Sequence, residues 1–500
     1  MPATITDKFK RYLLNDLYGS FNGDSDIYYI GIGRSEEWED EDNPPAPFPS
    51  QEIVQSFQSS LQGVKRVLDC SYVVPRYNWS AGSIYTAWND ANSSDTTIGA
   101  FENIEGSYYA ITDDNNVYVC LQQGMTSDGR ARNSIYKPKN VDENPFAAGP
   151  DGYIWRFLYN VGTYNSRRYL TSHWIPVEHI TDSDLGGPPG EELSASRLAQ
   201  ALIQHTAVPG EVLGVEVDSG GVGFTTPPII KIRGDHTGDS AQGYARIDEE
   251  GRIFQVIMKD SADDINFRFG SGYAEKTWIT VEGGGGSGAS LRPIVHQDSG
   301  GFGFDPRKDL NSSAIMYAAR IIGDEYKVFN IRNDFRQVGL IKNPLKDSST
   351  ADLFADSEEF TEIRGSALKK LYVGPGIFAD NTEMDNTVTG LVSGAKALLD
   401  YYEVYVDSDC CDSTLNSSHN VLHVHQTQET GFTSFNKTEA VELNFGGGTA
   451  NIVPHADSTV PALRFGDVLN YSGDVFYVDN RVQIDRDEDQ TEDVKIVIDL

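Results

Sequence analysis

The chain has 500 residues, 39% of them hydrophobic, which is enough to bury the cores of about three domains at roughly 150 residues each and excludes disorder throughout. Acidic residues number 74 against 40 basic ones, a formal charge of -34, and so negative a surface repels phosphate backbones and anionic lipid headgroups. Nucleic acid and membrane are thus not expected partners, and abundant Gly (48), Tyr (25) and Phe (23) beside only 5 Met favour strands and tight turns over helical bundles.

In chain order, the first predicted element is a helix over Thr6 to Phe21, with Thr6 as cap, Phe9, Leu13 and Leu17 on one face and Gly19 as the stop. Ile27 to Ile32 reads as a buried strand. The loop Glu36 to Pro49 follows, where Pro44, Pro45, Pro47 and Pro49 exclude helix. Gln51 to Leu61 looks helical and Val64 to Pro75 returns to strand. Tyr108 to Ala110 and Val117 to Leu121 flank an Asp-Asp-Asn-Asn turn at 113–116 and predict a hairpin. Gly152 to Val161 is an aromatic strand, and Leu185 to Gly190 has the composition of a linker.

From about 210 to 305 the chain repeats itself. Ser219 to Pro228 precedes a strand at Ile229 to Ile232, and Phe269 to Ala274 precedes another at Trp278 to Val281. Each copy continues into a glycine-rich turn and a second strand, and Ser299 to Phe304 opens a truncated third copy. Such units bury their apolar faces only by associating, and their glycines supply positive φ at tight turns. Strands resume from Ile315 to Val338. A further β-rich stretch, 347–465, includes Asp400 to Val406 and Asn420 to His425, and Val494 to Ile498 forms a terminal strand.

The chemistry-bearing motifs are sparse. There is no phosphate loop, nucleophile elbow or zinc-binding HExxH, and no catalytic constellation stands out. The glycines at 283–286 sit between strands with no following Lys. His419, His423 and His425 are the metal candidates, the latter two sharing one face of a predicted strand, weakened by the lack of a nearby carboxylate or Cys to complete a ligand set. The acidic loop Asp407 to Asp412 lacks the glycine and distal Glu of a calcium loop. Four cysteines without a CxxC pair, and a first stretch without a signal-peptide pattern, fit a reducing compartment. No cofactor is expected.

Several segments, in order, resemble one family. Gly33 to Trp38 with the prolines Pro44 to Pro49 comes first, alongside Thr6 to Phe9 and Tyr18. Val74 to Trp79, Val117 to Cys120, Gly149 to Trp155, Phe335 to Pro344, Ser472 to Arg481 and Asp489 to Ile496 continue the series. Together they resemble the gene product eight class of baseplate wedge subunits of T-even-like contractile-tailed bacteriophages, over about 1–185, 311–346 and 466–500.

The resemblance implies a virion structural protein of the viral tail: a homodimer that joins other baseplate wedge subunits and is assembled in the host bacterial cytoplasm, with no enzymatic activity. The fold expected is mainly β or α+β, a multi-layer β-sandwich-type core with a few short helices and two inserted β-rich modules. The boundaries are 1–190 for the N-terminal part of the core, 191–310 for the Gly-rich repeat insertion, 311–346 for the return to the core, 347–465 for the second insertion and 466–500 for the C-terminal core strands. Arg34, Trp38, Arg76, Trp79, Arg336 and Arg481 are the interface candidates, being residue types that anchor protein contacts, with ordinary packing the competing reading for the tryptophans. The alternative function is a glycan- or receptor-binding tail module, with sugars stacking on aromatic residues of the inserted repeats. A third class, a polysaccharide-cleaving enzyme, requires a carboxylate pair in a cleft.

Overall fold

The computed structural model describes residues 5–23, 26–90, 107–181, 195–274, 276–347, 358–375, 384–405, 415, 418–443 and 448–500. The linker at 185–190, Cys410 and Cys411, and the acidic loop at 407–412 lie outside them. The described residues are mainly β, 39% strand and 10% helix, in several separate antiparallel sheets, and form no barrel. The chain divides into two compact units. One comprises 1–15, 71–316 and 497–500, the other 16–70 and 317–496.

The first unit is built on an aromatic core. Tyr109–Ile111 and Asn116–Gln122 form the expected hairpin, turning through Asn115 at φ 59, and Ile154–Asn160 pairs with the second of these strands. Period-2 alternation turns Tyr118, Trp155 and Phe157 inward, where they pack with Tyr85 and Tyr153. Tyr85 meets Trp155 edge-on at 5.1 Å between ring centres. Helix Ala195–Thr206, which the sequence reading missed, adds Ile203 to this cluster.

The repeat region, in the same unit, is organised by pairing between copies. The equivalent strands Ile229–Arg233 and Trp278–Glu282 lie antiparallel, with Ile229 opposite Glu282 and Arg233 opposite Trp278. Gln242–Ile247 and Ile253–Ile257 extend that sheet, while Ser287–Val295 pairs separately with Val212–Val222. Positive φ at the turn glycines is observed. Gly284 has φ +71, and a Cβ there would stand 2.7 Å from the Thr226 carbonyl oxygen. The truncated third copy makes turns, and its Phe302 is fully buried.

The second unit contains a five-stranded sheet in the order Arg364–Ser366, Leu61–Arg66, Tyr28–Gly33, Phe335–Lys342, Asp474–Ile484. Its central pair places Gly31 opposite Gly339. The two missing side chains make a socket for Phe57, from helix Gln51–Ser59, whose ring tip is 2.5 Å from where a Cβ on Gly339 would lie. Ser50 caps that helix by accepting from the Ile53 amide at 3.3 Å. The expected 64–75 strand is two strands, Leu61–Arg66 and Asp69–Pro75, interrupted at Val67 and Leu68.

The unit also contains a seven-stranded sheet. Its order is Thr449–Asn451, Ala440–Leu443, Thr387–Gly390, Lys396–Val404, Asn420–His425, Lys369–Val373, Leu463–Arg464. Leu371, Val388, Leu399, Leu422 and Val424 fill its core. A register shift between Leu399 and Tyr401 inserts Asp400 as an extra residue opposite Asn420–His425. That bulge aims an acid into the interior.

Candidate functional site

Four of the six interface candidates come together in the second unit, around the proline loop. Arg34, at φ 60, lays its guanidinium over the Trp38 ring at 3.8 Å. Trp38 donates from its indole nitrogen to the Arg481 carbonyl at 2.9 Å, and Asn480 donates to the Pro45 carbonyl at 2.8 Å. Arg336 is only 2% exposed. It donates to Glu41 at 2.8 Å, to Asp334 at 2.7 Å and to the Ser35 carbonyl. Its guanidinium is spent inside the unit, bracing the loop, whereas Arg481 keeps about half its side chain in solvent beside Asp479.

The other two candidates lie in the first unit. Arg76 donates to Asn78 at 2.9 Å and to the Thr171 carbonyl at 2.6 Å, and Trp79 packs against the Tyr85–Trp155 cluster. Both are half-buried.

The same loop reaches a buried charge relay. Asp400, at the bulge, accepts from Nδ1 of His425 at 2.6 Å, and Nε2 of His425 faces Glu36 at 3.4 Å. Asp400 and His425 are buried at 0% and 1% exposure. Burial pulls the imidazole pKa down, but the charge of Asp400 and hydrogen bonds to Asp400 and Glu36 outweigh it and hold His425 well above its ordinary 6.5. Glu36 is partly buried, which alone would raise it, yet the His425 contact takes it down to about 2. Nearby Asp385 rises to about 6, chiefly through burial, with Asp400 adding repulsion. Burial in turn raises Asp400, and the imidazole held between the two acidic side chains ties the loop to the sheet.

His423 and His425 do share a strand, but they serve different neighbours. His425 is committed to carboxylates, and His423 stacks on Tyr401 with ring centres 3.9 Å apart. Among the described residues no group of three or more His, Cys, Asp or Glu is placed to hold a metal ion. Asp400 and Glu36 were invisible as partners, because one sits at a bulge and the other is nearly 400 positions from His425. Among the described residues no helix is long and apolar enough to cross a membrane.

Two exposed rings flank one edge of the five-stranded sheet. Phe48 is 73% exposed and Phe476, on the edge strand Asp474–Ile484, is 45% exposed. Between them runs a groove of about 530 Å³ lined by Pro47, Ile53, Val475 and Val478. In the repeats, by contrast, the glycine-adjacent rings Phe224 and Tyr273 are 4% exposed and belong to the core, which leaves Trp278 and Phe304 as outward rings. Carboxylates line a cleft in the first unit as well, but Glu211 there is paired with the buried Arg156 at 2.9 Å, and Asp260 lies 3.6 Å from Arg268.

Compared with known proteins, the chain matches no family model and no curated protein.

Proposed function

We propose that the chain is a structural subunit of a contractile-tail baseplate wedge. It forms a homodimer, docks to neighbouring wedge subunits, and takes part in baseplate assembly and in rearrangement on host contact, without catalysis. One observation carries this reading beyond the ordered motifs themselves. Motifs far apart in sequence meet in space: 33–49, 335–344 and 472–481 interlock through Trp38, Glu41, Arg336 and Arg481. Likewise 74–79, 117–120 and 149–155 share one aromatic cluster through Trp79, Tyr118 and Trp155. Chance likenesses scattered along a chain have no reason to converge on two packed clusters.

The groove between Phe48 and Phe476 supports docking, since a contiguous apolar surface beside an open strand edge favours burial against a partner. The test is co-expression with the other wedge proteins of a contractile tail. The chain purified alone runs as a dimer, and the co-expressed proteins copurify as a stable complex. A monomer that captures no wedge subunit overturns the proposal.

A further inference from the structure

The seven-stranded sheet of the second unit carries a feature that the scaffold role does not use. On three neighbouring antiparallel strands, Lys370 stands opposite His423, and His423 opposite Tyr401. These side chains open onto a cavity of about 290 Å³ that is also lined by Tyr372, Tyr405, Lys327 and the acids Glu403 and Asp467, the latter accepting from the Ser366 amide at 2.9 Å. That volume sits at the small end of ligand pockets, the scale of a single sugar ring.

Two polar groups in this cavity lack partners. His423 is 5% exposed, yet neither of its ring nitrogens has a hydrogen-bond partner, and the closest carboxylate oxygen, on Glu403, is 3.9 Å away. Burial and the charges of Lys370 and Lys327 push its pKa down to about 3, so the ring is neutral and offers one N–H donor and one lone-pair acceptor. A hydroxyl group, itself both donor and acceptor, matches either nitrogen. Most buried polar atoms in proteins have a hydrogen-bond partner, so a group that can both donate and accept fits this ring.

The second group is cationic. Lys327 pairs with Glu403 at 3.2 Å, but Lys370 has neither an ion pair nor a hydrogen bond among the described residues. Arg464, opposite Lys370 in register, lays its guanidinium on the Tyr372 ring at 4.0 Å and adds positive charge nearby. Tyrosine rings provide amphipathic walls that suit the apolar faces and hydroxyl rims of a pyranose. The lining therefore combines aromatic walls, a hydroxyl-matching imidazole and an unmatched ammonium.

We propose that this cavity binds an acidic monosaccharide unit, a pyranose bearing a carboxylate, with Lys370 on the carboxylate and His423 on a ring hydroxyl. The site lies outside the repeat module and does not depend on the wedge assignment.

The full chain is titrated with sodium glucuronate, galacturonate and N-acetylneuraminate, with glucose as the neutral control, by calorimetry and saturation-transfer NMR. At least one acid binds saturably, and more tightly than glucose. Lys370→Gln weakens that binding by about tenfold, the equivalent of about 1.4 kcal/mol. His423→Phe keeps a ring against Tyr401 but loses both nitrogens, and it abolishes binding while the far-ultraviolet circular dichroism stays that of the parent. Tyr405→Phe, nearer the surface, provides a milder second variant should His423→Phe fail to fold. Absence of saturable binding by all three acids, equal binding of glucose, or affinity unchanged in Lys370→Gln overturns the proposal.

Discussion

The relay Asp400–His425–Glu36 makes a quantitative demand on stability. Replacing His425 by Gln leaves Asp400 at 0% exposure without its counter-charge, and stranding one member of a buried ion pair costs roughly 3–5 kcal/mol. Replacing both members, as Asp400→Asn with His425→Gln, removes the stranded charge and restores a large part of that loss. The pH dependence separates the variants further. The folded-state pKa of His425 lies above its unfolded value of 6.5, so its contribution is fully present below pH 6.5 and is lost as pH rises through the folded pKa. In that window the parent loses up to about 1.4 kcal/mol per pH unit relative to the double variant, which carries no titrating group at 400 or 425. Urea unfolding at a series of pH values from 6.5 upward measures this. Parallel curves for parent and double variant, or a single variant as stable as the double, refute the reasoning.

Other consequences can be checked more simply. Gly339→Ala drives a methyl group into the Phe57 ring and costs about 1–3 kcal/mol, and a second change, Phe57→Leu, relieves part of it, which a double-mutant cycle reads directly. Arg336→Met strands Asp334 and frees Glu41, with a loss of roughly 3 kcal/mol and faster proteolytic cleavage within 36–49, visible by mass spectrometry of limited digests. Glu211→Gln leaves the guanidinium of Arg156, 5% exposed, without its carboxylate and lowers the stability of the first unit by roughly 3 kcal/mol in calorimetry.

Local pattern was readable where it is local. The helix from Asp7 to Asn22, the 109–122 hairpin and the strands at 229–233 and 278–282 all fall within a residue or two of the positions their periodicity and turn residues indicate. Helix Ala195–Thr206 escaped because it begins beside a Gly/Pro-rich stretch that reads as linker. The repeats were visible, but not that equivalent strands of the two copies pair with each other, since pairing choice is set by tertiary contacts. Site residues fared similarly. The sequence marks His423 and His425 as a pair, yet their different roles depend on one inserted residue, Asp400, in the facing strand. No periodicity announces a bulge.

The pairing of Tyr28–Gly33 with Phe335–Lys342 sets a timetable for biosynthesis. With Tyr28 opposite Lys342, the later strand leaves the ribosome on the order of 15–60 s after the earlier one, at about 5–20 residues per second. Throughout that interval the apolar strand Tyr-Tyr-Ile-Gly-Ile-Gly lacks the neighbour that covers its second edge in the finished sheet. Closing so long a loop makes folding slow as well as late. Chaperone dependence and loss of yield at high expression temperature follow from this order of emergence, and slower growth at low temperature is the natural route to soluble material.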